Sequence, residues 1–244
     1  MSEIIRGLNT HKKNPLCYFF LLLCLFDVSA SMQSDPNKNY DIELAQLDDS
    51  SISIDGYLDE EAWKNAKMVS GFTNYLPVDG AKAEDDAEVY IWYSTDAIYF
   101  GVVAYANKNE VRSTLADRDK LNSDDYFLFV LDTYNDQRTA YAFAVNPIGQ
   151  QYDGTITDNV PDRKASKPYT IDKNPDYVYD SKGRITEKGF EIEIKIPLKS
   201  LRFNNNSTQK WGFNVLRKVQ HSRYWTSLIP VSYTHLTLPT NREV

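Results

Sequence analysis

The strictest pattern in the chain is the alternation over Phe190–Ile196, where every second residue is apolar and the residues between are charged. Because successive side chains of a β-strand point to opposite faces of the sheet, this period of two predicts a strand with one face on a core. Weaker alternation recurs in four further segments, Val89–Tyr93, Ile98–Ala104, Tyr141–Val145 and Trp211–Val215. A chain dominated by this period is expected to fold as β-sheet rather than as a helical bundle.

Three other segments refine this interpretation. The run Tyr126–Leu131 is apolar throughout, which is typical of a strand covered on both faces. Helical periodicity is confined to Asp59–Ala66, with Asp59 as the expected N-cap. Residues 158–174, rich in Asp, Lys and Pro, are expected to form a long irregular loop. Many short strands and one short helix predict an all-β fold, an antiparallel β-sandwich of jelly-roll type or a barrel.

The N-terminal end has the composition of a secretory signal peptide. Arg6, Lys12 and Lys13 precede the apolar run Leu16–Phe26, and Val28–Ala30 supply small residues for cleavage after residue 30. We therefore expect a signal peptide over residues 1–30 and export of the rest. An N-terminal membrane anchor or a buried helix is the alternative, although the run is short for a helix that spans a bilayer.

The C-terminal end, residues 232–244, resembles a translated sequencing-adaptor tail. We treat it as an artefact and expect the natural chain to continue past about residue 231. A real C-terminal strand is the alternative, because Tyr233–Leu238 alternates. The predicted domain is therefore residues 31–231.

Composition excludes several classes of chemistry from this domain. Cys17 and Cys24 lie in the predicted signal peptide, and His221 is the one histidine between residues 31 and 231. This excludes a disulfide framework, a Cys-His nucleophile pair and a zinc site of the Cys/His type. The sequence contains neither a phosphate-binding glycine loop nor a G-x-S-x-G elbow. The net charge of -7 would repel a phosphate backbone, so no nucleic-acid partner is expected.

A series of short motifs follows one another in a fixed order along the middle of the chain. They are Ile54–Trp63, Asp96–Val102, Arg118-Asp119, Asp124-Asp125, Leu131–Thr133, Val145–Gly149, Asp153-Gly154 and Ile196–Phe203. In this order they resemble a family 9 carbohydrate-binding module. They resemble more closely the module-like domain at the N-terminus of bacterial outer-membrane β-barrel proteins of unknown function. The resemblance covers residues 41–230 and implies a non-catalytic β-sandwich that binds glycan ends, sometimes with calcium ions that brace its loops.

The resemblance also implies four site positions, which this chain fills only in part. The sugar-binding members carry an aromatic, an acidic and a basic residue where this chain has Asn122, Leu128 and Ala144. Asn146 matches the family, and a carbohydrate-binding role for it is implied. A sugar site of the familiar design is therefore expected to be altered here.

Other aromatic residues are candidates to replace the missing contacts, because a sugar site needs exposed rings and polar partners for the hydroxyls. By alternation, Tyr90 and Trp92 share one face and predict an exposed platform, unless that strand is covered on both faces. Trp225 lies where a second clamping ring would come, with a place in a strand core as the alternative. Tyr177 and Tyr179 are two residues apart and are expected to share a face that contacts the glycan.

One turn is a candidate calcium site. Asp132, Asn135 and Asp136 bring three oxygen ligands to the end of a strand, and oxygen ligands are what calcium prefers. An Asx-type turn with solvated carboxylates is the alternative.

Three functions follow from these observations. The first is a non-catalytic carbohydrate-binding module of a bacterial protein in the periplasm, at the cell surface or in the outer membrane. Its partner would be a polysaccharide or oligosaccharide, and it would reach the membrane only through a missing C-terminal region. The second is a structural or interaction domain that has kept the sandwich and lost sugar binding. The third is part of a glycoside hydrolase, which would need two carboxylates at a suitable separation.

Overall fold

The fold is a sandwich of two β-sheets, which confirms the predicted fold class. A computed structural model describes residues 41–77, 80–115, 117–157, 168–228 and 234–239. The predicted signal peptide, residues 1–30, and most of the predicted loop, residues 158–167, lie outside these ranges. Within them, no helix is both long and apolar enough to cross a membrane.

The larger sheet has nine strands. In spatial order these are β1 (Asp41–Glu43), β14 (Thr234–Pro239), β12 (Thr208–Lys218), β6 (Tyr126–Asp132), β7 (Thr139–Val145), β8 (Gln151–Thr157) and β9 (Ile171–Asp172), with β13 (Trp225–Ser227) beside β12 and β3 (Thr73–Leu76) beside β13. The pair β1 and β14 is parallel, and the other pairs are antiparallel.

The smaller sheet has five strands, all paired antiparallel. Their order is β10 (Asp180–Thr186), β11 (Gly189–Pro197), β5 (Ala97–Tyr105), β4 (Ala87–Tyr93) and β2 (Lys67–Ser70). The one α-helix in the described ranges, α1 (Glu61–Asn65), lies between β1 and β2 in sequence, and a 3-10 turn (Leu198–Ser200) follows β11.

The core between the sheets is formed by the residues that alternation assigns to one face. Ile192 and Ile194 of β11 are fully buried, and Phe100 of β5 packs on Phe129 of β6 with ring centroids 4.7 Å apart. Full burial of such side chains stabilises the fold by about 1.5–3 kcal/mol each. All seven residues of β6 are buried, which confirms that this strand is covered on both faces.

Both sheets carry additional layers on their outer faces. On the smaller sheet, residues from Leu47 to Trp63 pack over Trp92 and Tyr99, and Trp63 anchors α1 there. The helix begins at Glu61. Glu60, rather than the predicted Asp59, is the N-cap residue, and no side-chain hydrogen bond caps the helix. Glu60 instead accepts a hydrogen bond from the backbone N–H of Ser53 at 3.1 Å.

Two segments pair more regularly than the sequence interpretation expects. Residues 171–172, part of the predicted irregular loop, form β9 on the edge strand β8. Residues 232–244 are placed outside the domain by sequence, whereas Thr234–Pro239 form β14 between β1 and β12. The alternation over Tyr233–Leu238 is the pattern that such a strand requires.

Candidate functional site

A cavity of about 290 Å³ opens on the outer face of the nine-stranded sheet. Four aromatic residues line it, namely Tyr126, Tyr152, Tyr169 and Trp225. The floor includes Leu128, and the exposed residues Asn122, Thr170 and Lys173 lie at its rim. We call this the Trp225 cavity. Its volume lies at the lower end of the range for small-ligand sites, so it would hold a compact ligand.

The sheet has a depression here because β7 presents small side chains on its outer face. Ala140, Ala142 and Ala144 are buried there between the larger residues of β6 and β8. The far wall is the segment from Pro168 to Lys173, which β9 holds against β8. Gly154 of β8 permits this approach, since a Cβ at that position would lie 2.2 Å from the backbone oxygen of Asp172.

Two phenol hydroxyls in the cavity have no hydrogen-bond partner among the described residues. Neither Tyr126 nor Tyr152 donates or accepts a hydrogen bond through its hydroxyl within the described part of the chain. Burial raises the pKa of Tyr126 far above neutral and that of Tyr152 to about 12, so both hydroxyls remain protonated and able to donate. Repulsion from a phenolate at Tyr152 is a second, smaller cause that raises the pKa of Tyr126. The cavity therefore offers two neighbouring groups that can both donate and accept a hydrogen bond.

Trp225 forms the wall beside these hydroxyls. Its ring meets that of Tyr126 edge to face, with centroids 5.5 Å apart, and the Lys218 ammonium lies 5.5 Å from its centroid. Trp225 is buried in β13 and also lines the cavity, so both interpretations of its sequence position apply. On the opposite side, the Lys173 ammonium lies 4.2 Å from the ring centroid of Tyr152 and donates to the backbone oxygen of Asp119.

Three of the four positions that the family resemblance implies lie at or beneath this cavity. Asn122 and Leu128 line it, and Ala144 belongs to the apolar cluster beneath it. The expected aromatic, acidic and basic side chains are thus replaced by an exposed amide and two apolar residues. The location of the site agrees with the resemblance, whereas its chemistry differs.

Asn146 does not line the Trp225 cavity, so its carbohydrate-binding role stays a prediction. The side chain is fully buried, and its amide nitrogen donates to Asp124 at 2.9 Å and to the backbone oxygen of Thr114 at 3.2 Å. Its amide oxygen accepts from the backbone N–H groups of Ile148 and Gln150. With every partner position filled by protein, Asn146 fixes the turn after β7.

The predicted platform of Tyr90 and Trp92 is not exposed as a pair. The two side chains share the outer face of β4, but Trp92 is fully buried beneath the added layer and stacks on Tyr99 with centroids 3.9 Å apart. Tyr90 remains half-buried and donates to Glu88 at 2.8 Å. The alternative of a strand covered on both faces holds at Trp92.

Tyr177 and Tyr179 share a face as predicted, but that face is directed into the sandwich. Both rings pack on Phe143, with centroids 5.8 and 5.1 Å away. Tyr179 is buried, and its hydroxyl donates to the backbone oxygen of Ala144 at 3.1 Å. The two tyrosines are therefore core residues rather than a surface that contacts a glycan.

The predicted calcium turn is held by its own backbone. The fully buried Asp132 carboxylate accepts from the backbone N–H of Gln137 at 2.7 Å and from that of Asp136 at 3.3 Å. Asp136 in turn accepts from the N–H of Arg138. Since backbone N–H donors bond these oxygens, the geometry corresponds to the Asx-type alternative, and a calcium site at Asp132, Asn135 and Asp136 stays a prediction.

The most perturbed carboxylate in the described ranges does not line the Trp225 cavity. Glu193 is fully buried on the outer face of β11, and burial raises its pKa to about 7. It accepts from the backbone N–H groups of Asp55 and Gly56 and from the indole of Trp63, at 2.7–2.8 Å. These contacts tie the N-terminal layer to the sheet. A raised pKa here reflects burial and architecture rather than a general acid.

Sequence reasoning does not identify Tyr126, Tyr152 or Tyr169 as site residues. They come from β6, β8 and the segment before β9, and nothing in the sequence shows that these meet. The apolar run of β6 is the one signal, because a strand covered on both faces requires a further layer on its outer side.

Comparison with known proteins relates the fold to carbohydrate-binding modules. A family 9 carbohydrate-binding module from Caldicellulosiruptor kristjanssonii, solved with cellotriose, superposes with a TM-score of 0.56 at 15% identity over 84% of this chain and 97% of that one. The same kind of module from this organism with glucose gives 0.56 at 14% identity, covering 84% and 98%. A candidate carbohydrate-binding protein from Bacteroides uniformis gives 0.60 at 10% identity, covering 81% and 98%.

Sequence comparison adds nothing further. No protein-family model matches the chain, and no curated protein matches it. At 10–15% identity the structural similarity shows a common fold, and this fold is that of family 9 modules.

Proposed function

We propose that this domain is a non-catalytic carbohydrate-binding module that holds one saccharide unit in the Trp225 cavity. The observation that carries the proposal is the pair of phenol hydroxyls, on Tyr126 and Tyr152, that have no hydrogen-bond partner among the described residues and lie beside the Trp225 ring. Neither hydroxyl is sealed from solvent, so a ligand that displaces water from them has to supply hydrogen-bond partners in its place, as sugar hydroxyls do.

A saccharide fits the remaining walls of the cavity. The C–H faces of a pyranose are apolar and pack on aromatic rings, here those of Trp225 and Tyr169. At the rim, the Asn122 amide makes no hydrogen bond within the described ranges and can bond further hydroxyls. The cavity is compact, which suits a chain end or a single residue better than the middle of a flat polymer.

The related structures indicate which sugars to test first. The family 9 modules with this fold were solved with cellotriose and with glucose. Because Leu128 and Ala144 replace the acidic and basic residues that the resemblance implies, we expect a ligand preference different from theirs. Trisaccharides of glucose, xylose and mannose form the first panel.

The test is calorimetric titration of the purified chain with cellotriose, xylotriose and mannotriose. We expect one of them to bind, and we expect Tyr126→Phe and Tyr152→Phe each to raise the dissociation constant about three- to tenfold, since each loses one hydrogen-bonding hydroxyl. Tyr134→Phe is the matched control, because Tyr134 is an exposed tyrosine outside this cavity. Unchanged affinity in both cavity variants would rule out this site.

The alternative is an interaction domain that binds a protein. The apolar floor at Leu121, Leu128 and Ile171 favours it, because an apolar side chain of a partner would also fill the cavity. A folded chain that binds none of a broad panel of glycans would support this alternative.

We also propose that the domain acts outside the cytoplasm, on behalf of a larger surface or outer-membrane protein. The charged, apolar and small-residue segments of residues 1–30 support export. Expression in a Gram-negative host followed by N-terminal sequencing tests it. A mature N-terminus near Ser31 in the periplasmic fraction is expected, and an unprocessed cytoplasmic product would count against export.

A further inference from the structure

A second groove lies on the outer face of the five-stranded sheet, on the opposite side of the sandwich from the Trp225 cavity. Its volume is about 440 Å³, and its walls include Tyr57, Trp63, Tyr90, Val103, Arg184 and Glu191. The N-terminal layer forms one side, and the uncovered parts of β4, β5, β10 and β11 form the floor and the other side. We call it the Tyr57 groove.

The Tyr57 ring is held in place although half of it faces solvent. The side chain is 49% exposed, and the Arg184 guanidinium lies 4.1 Å from the ring centroid. The backbone N–H of Tyr57 donates to Asp55 at 3.0 Å, and Arg184 Nε donates to the backbone oxygen of Gly56 at 3.0 Å. An ordered, exposed aromatic ring loses little entropy when a ligand packs against it.

The polar groups of the groove suit hydroxyl ligands. Arg184 Nη2 donates to Glu191 Oε2, whereas Arg184 Nη1 and Glu191 Oε1 have no hydrogen-bond partner in the part of the chain that the structure describes. A donor thus lies next to an acceptor on two planar groups. Vicinal hydroxyls of a sugar both donate and accept, so they complement this pair.

A further carboxylate fixes the tyrosines on the floor. Glu88 accepts from the Tyr90 hydroxyl at 2.8 Å and from the Tyr105 hydroxyl at 3.1 Å. Tyr105 is 38% exposed beside the groove. The lining charges balance, with Arg184 and Lys64 against Glu191 and Asp59, and Glu88 lies beside them, so the groove suits a neutral ligand better than a polyanion.

We propose that the Tyr57 groove is a second saccharide-binding site, so that one domain contacts two glycan chains from opposite faces. The ring of Tyr57 packs on one sugar residue, and the Arg184–Glu191 pair bonds its hydroxyls. The inference shares its ligand class with the proposed function but depends on a separate set of residues.

Tyrosine nitration mapped by mass spectrometry tests the groove directly. The purified chain is treated with tetranitromethane with and without cellotriose, xylotriose or mannotriose. At a ligand concentration about ten times the dissociation constant, nitration of Tyr57 is expected to slow about tenfold by mass action. Tyr134, 44% exposed and outside the groove, is the internal control and should react at an unchanged rate.

Variants separate the two sites. Tyr57→Ala should weaken binding at the groove at least about fivefold, the effect of losing one packed ring, while Tyr134→Ala leaves it unchanged. Tyr152→Phe should leave protection of Tyr57 intact. If no sugar protects Tyr57 from nitration while calorimetry still shows binding that depends on Tyr126 and Tyr152, the second site alone is overturned. Protection of Tyr57 with no effect of the cavity variants overturns the cavity alone. Neither protection nor binding with any of the three sugars overturns both.

Discussion

Glu193 shows how one buried carboxylate organises a surface layer. Three N–H donors, from Asp55, Gly56 and Trp63, converge on its two oxygens. Burial outweighs these bonds and raises the pKa to about 7. Since Gly56 and Asp55 position Tyr57, this core carboxylate also determines the shape of the second groove.

The raised pKa makes stability depend on pH near neutrality. The folded state binds the Glu193 proton more tightly than the unfolded state, so its contribution is fully present below about pH 4.5 and is lost as the pH rises through about 7. We expect the unfolding free energy to fall by about 1–3 kcal/mol from pH 5 to pH 8 for this group. Glu193→Gln, which cannot titrate, should reduce that slope. Urea unfolding at both pH values measures it, and equal slopes in the two proteins would contradict the assignment.

At the scale of elements, the strands could be predicted and the layers over them could not. Alternation correctly places Ile192 inside and Tyr90 with Trp92 outside, because the period of a strand is a local property. Whether the outer face meets solvent depends on residues about 30–45 positions earlier in the chain, which fold back over Trp92. Trp225 could be predicted as a site residue from the resemblance, whereas its partners Tyr126 and Tyr152 could not, since their meeting depends on sheet order.

At Gly101 the N-terminal layer packs closely on β5. A Cβ there would lie 2.7 Å from Leu58 Cδ2 and 3.0 Å from Trp63 Cζ3. Gly101→Ala should therefore push this layer outward and lower the unfolding free energy by about 1–3 kcal/mol. Measured by chemical denaturation, the cost should be smaller in a Leu58→Ala background, which provides space for the methyl group. An equal cost in both backgrounds would show that Leu58 does not limit the packing.

At the scale of the whole molecule, a sandwich has two outer faces, and this chain builds a lined concavity on each. The Trp225 cavity is formed by the 168–173 segment on the larger sheet, and the Tyr57 groove by the N-terminal layer on the smaller one. Between them lies a core of packed aromatic side chains, such as Phe100 with Phe129. Because the walls of both concavities are layers added outside this core, the residues of each wall can change without a change of fold.

Two independent sites predict a specific dependence of stability on ligand. A ligand that binds only the folded state adds about 1.4 kcal/mol of unfolding free energy per tenfold increase in its concentration above the dissociation constant, for each site. With the saccharide that binds, the wild-type chain should reach about twice that slope once both sites fill. In Tyr57→Ala the unfolding free energy should rise with the single-site slope at ligand concentrations too low to fill the weakened groove. The exposed-surface control Tyr134→Ala should keep the two-site slope. A wild-type slope that never exceeds the single-site value, measured by thermal or urea unfolding, would mean that the domain binds one glycan at a time.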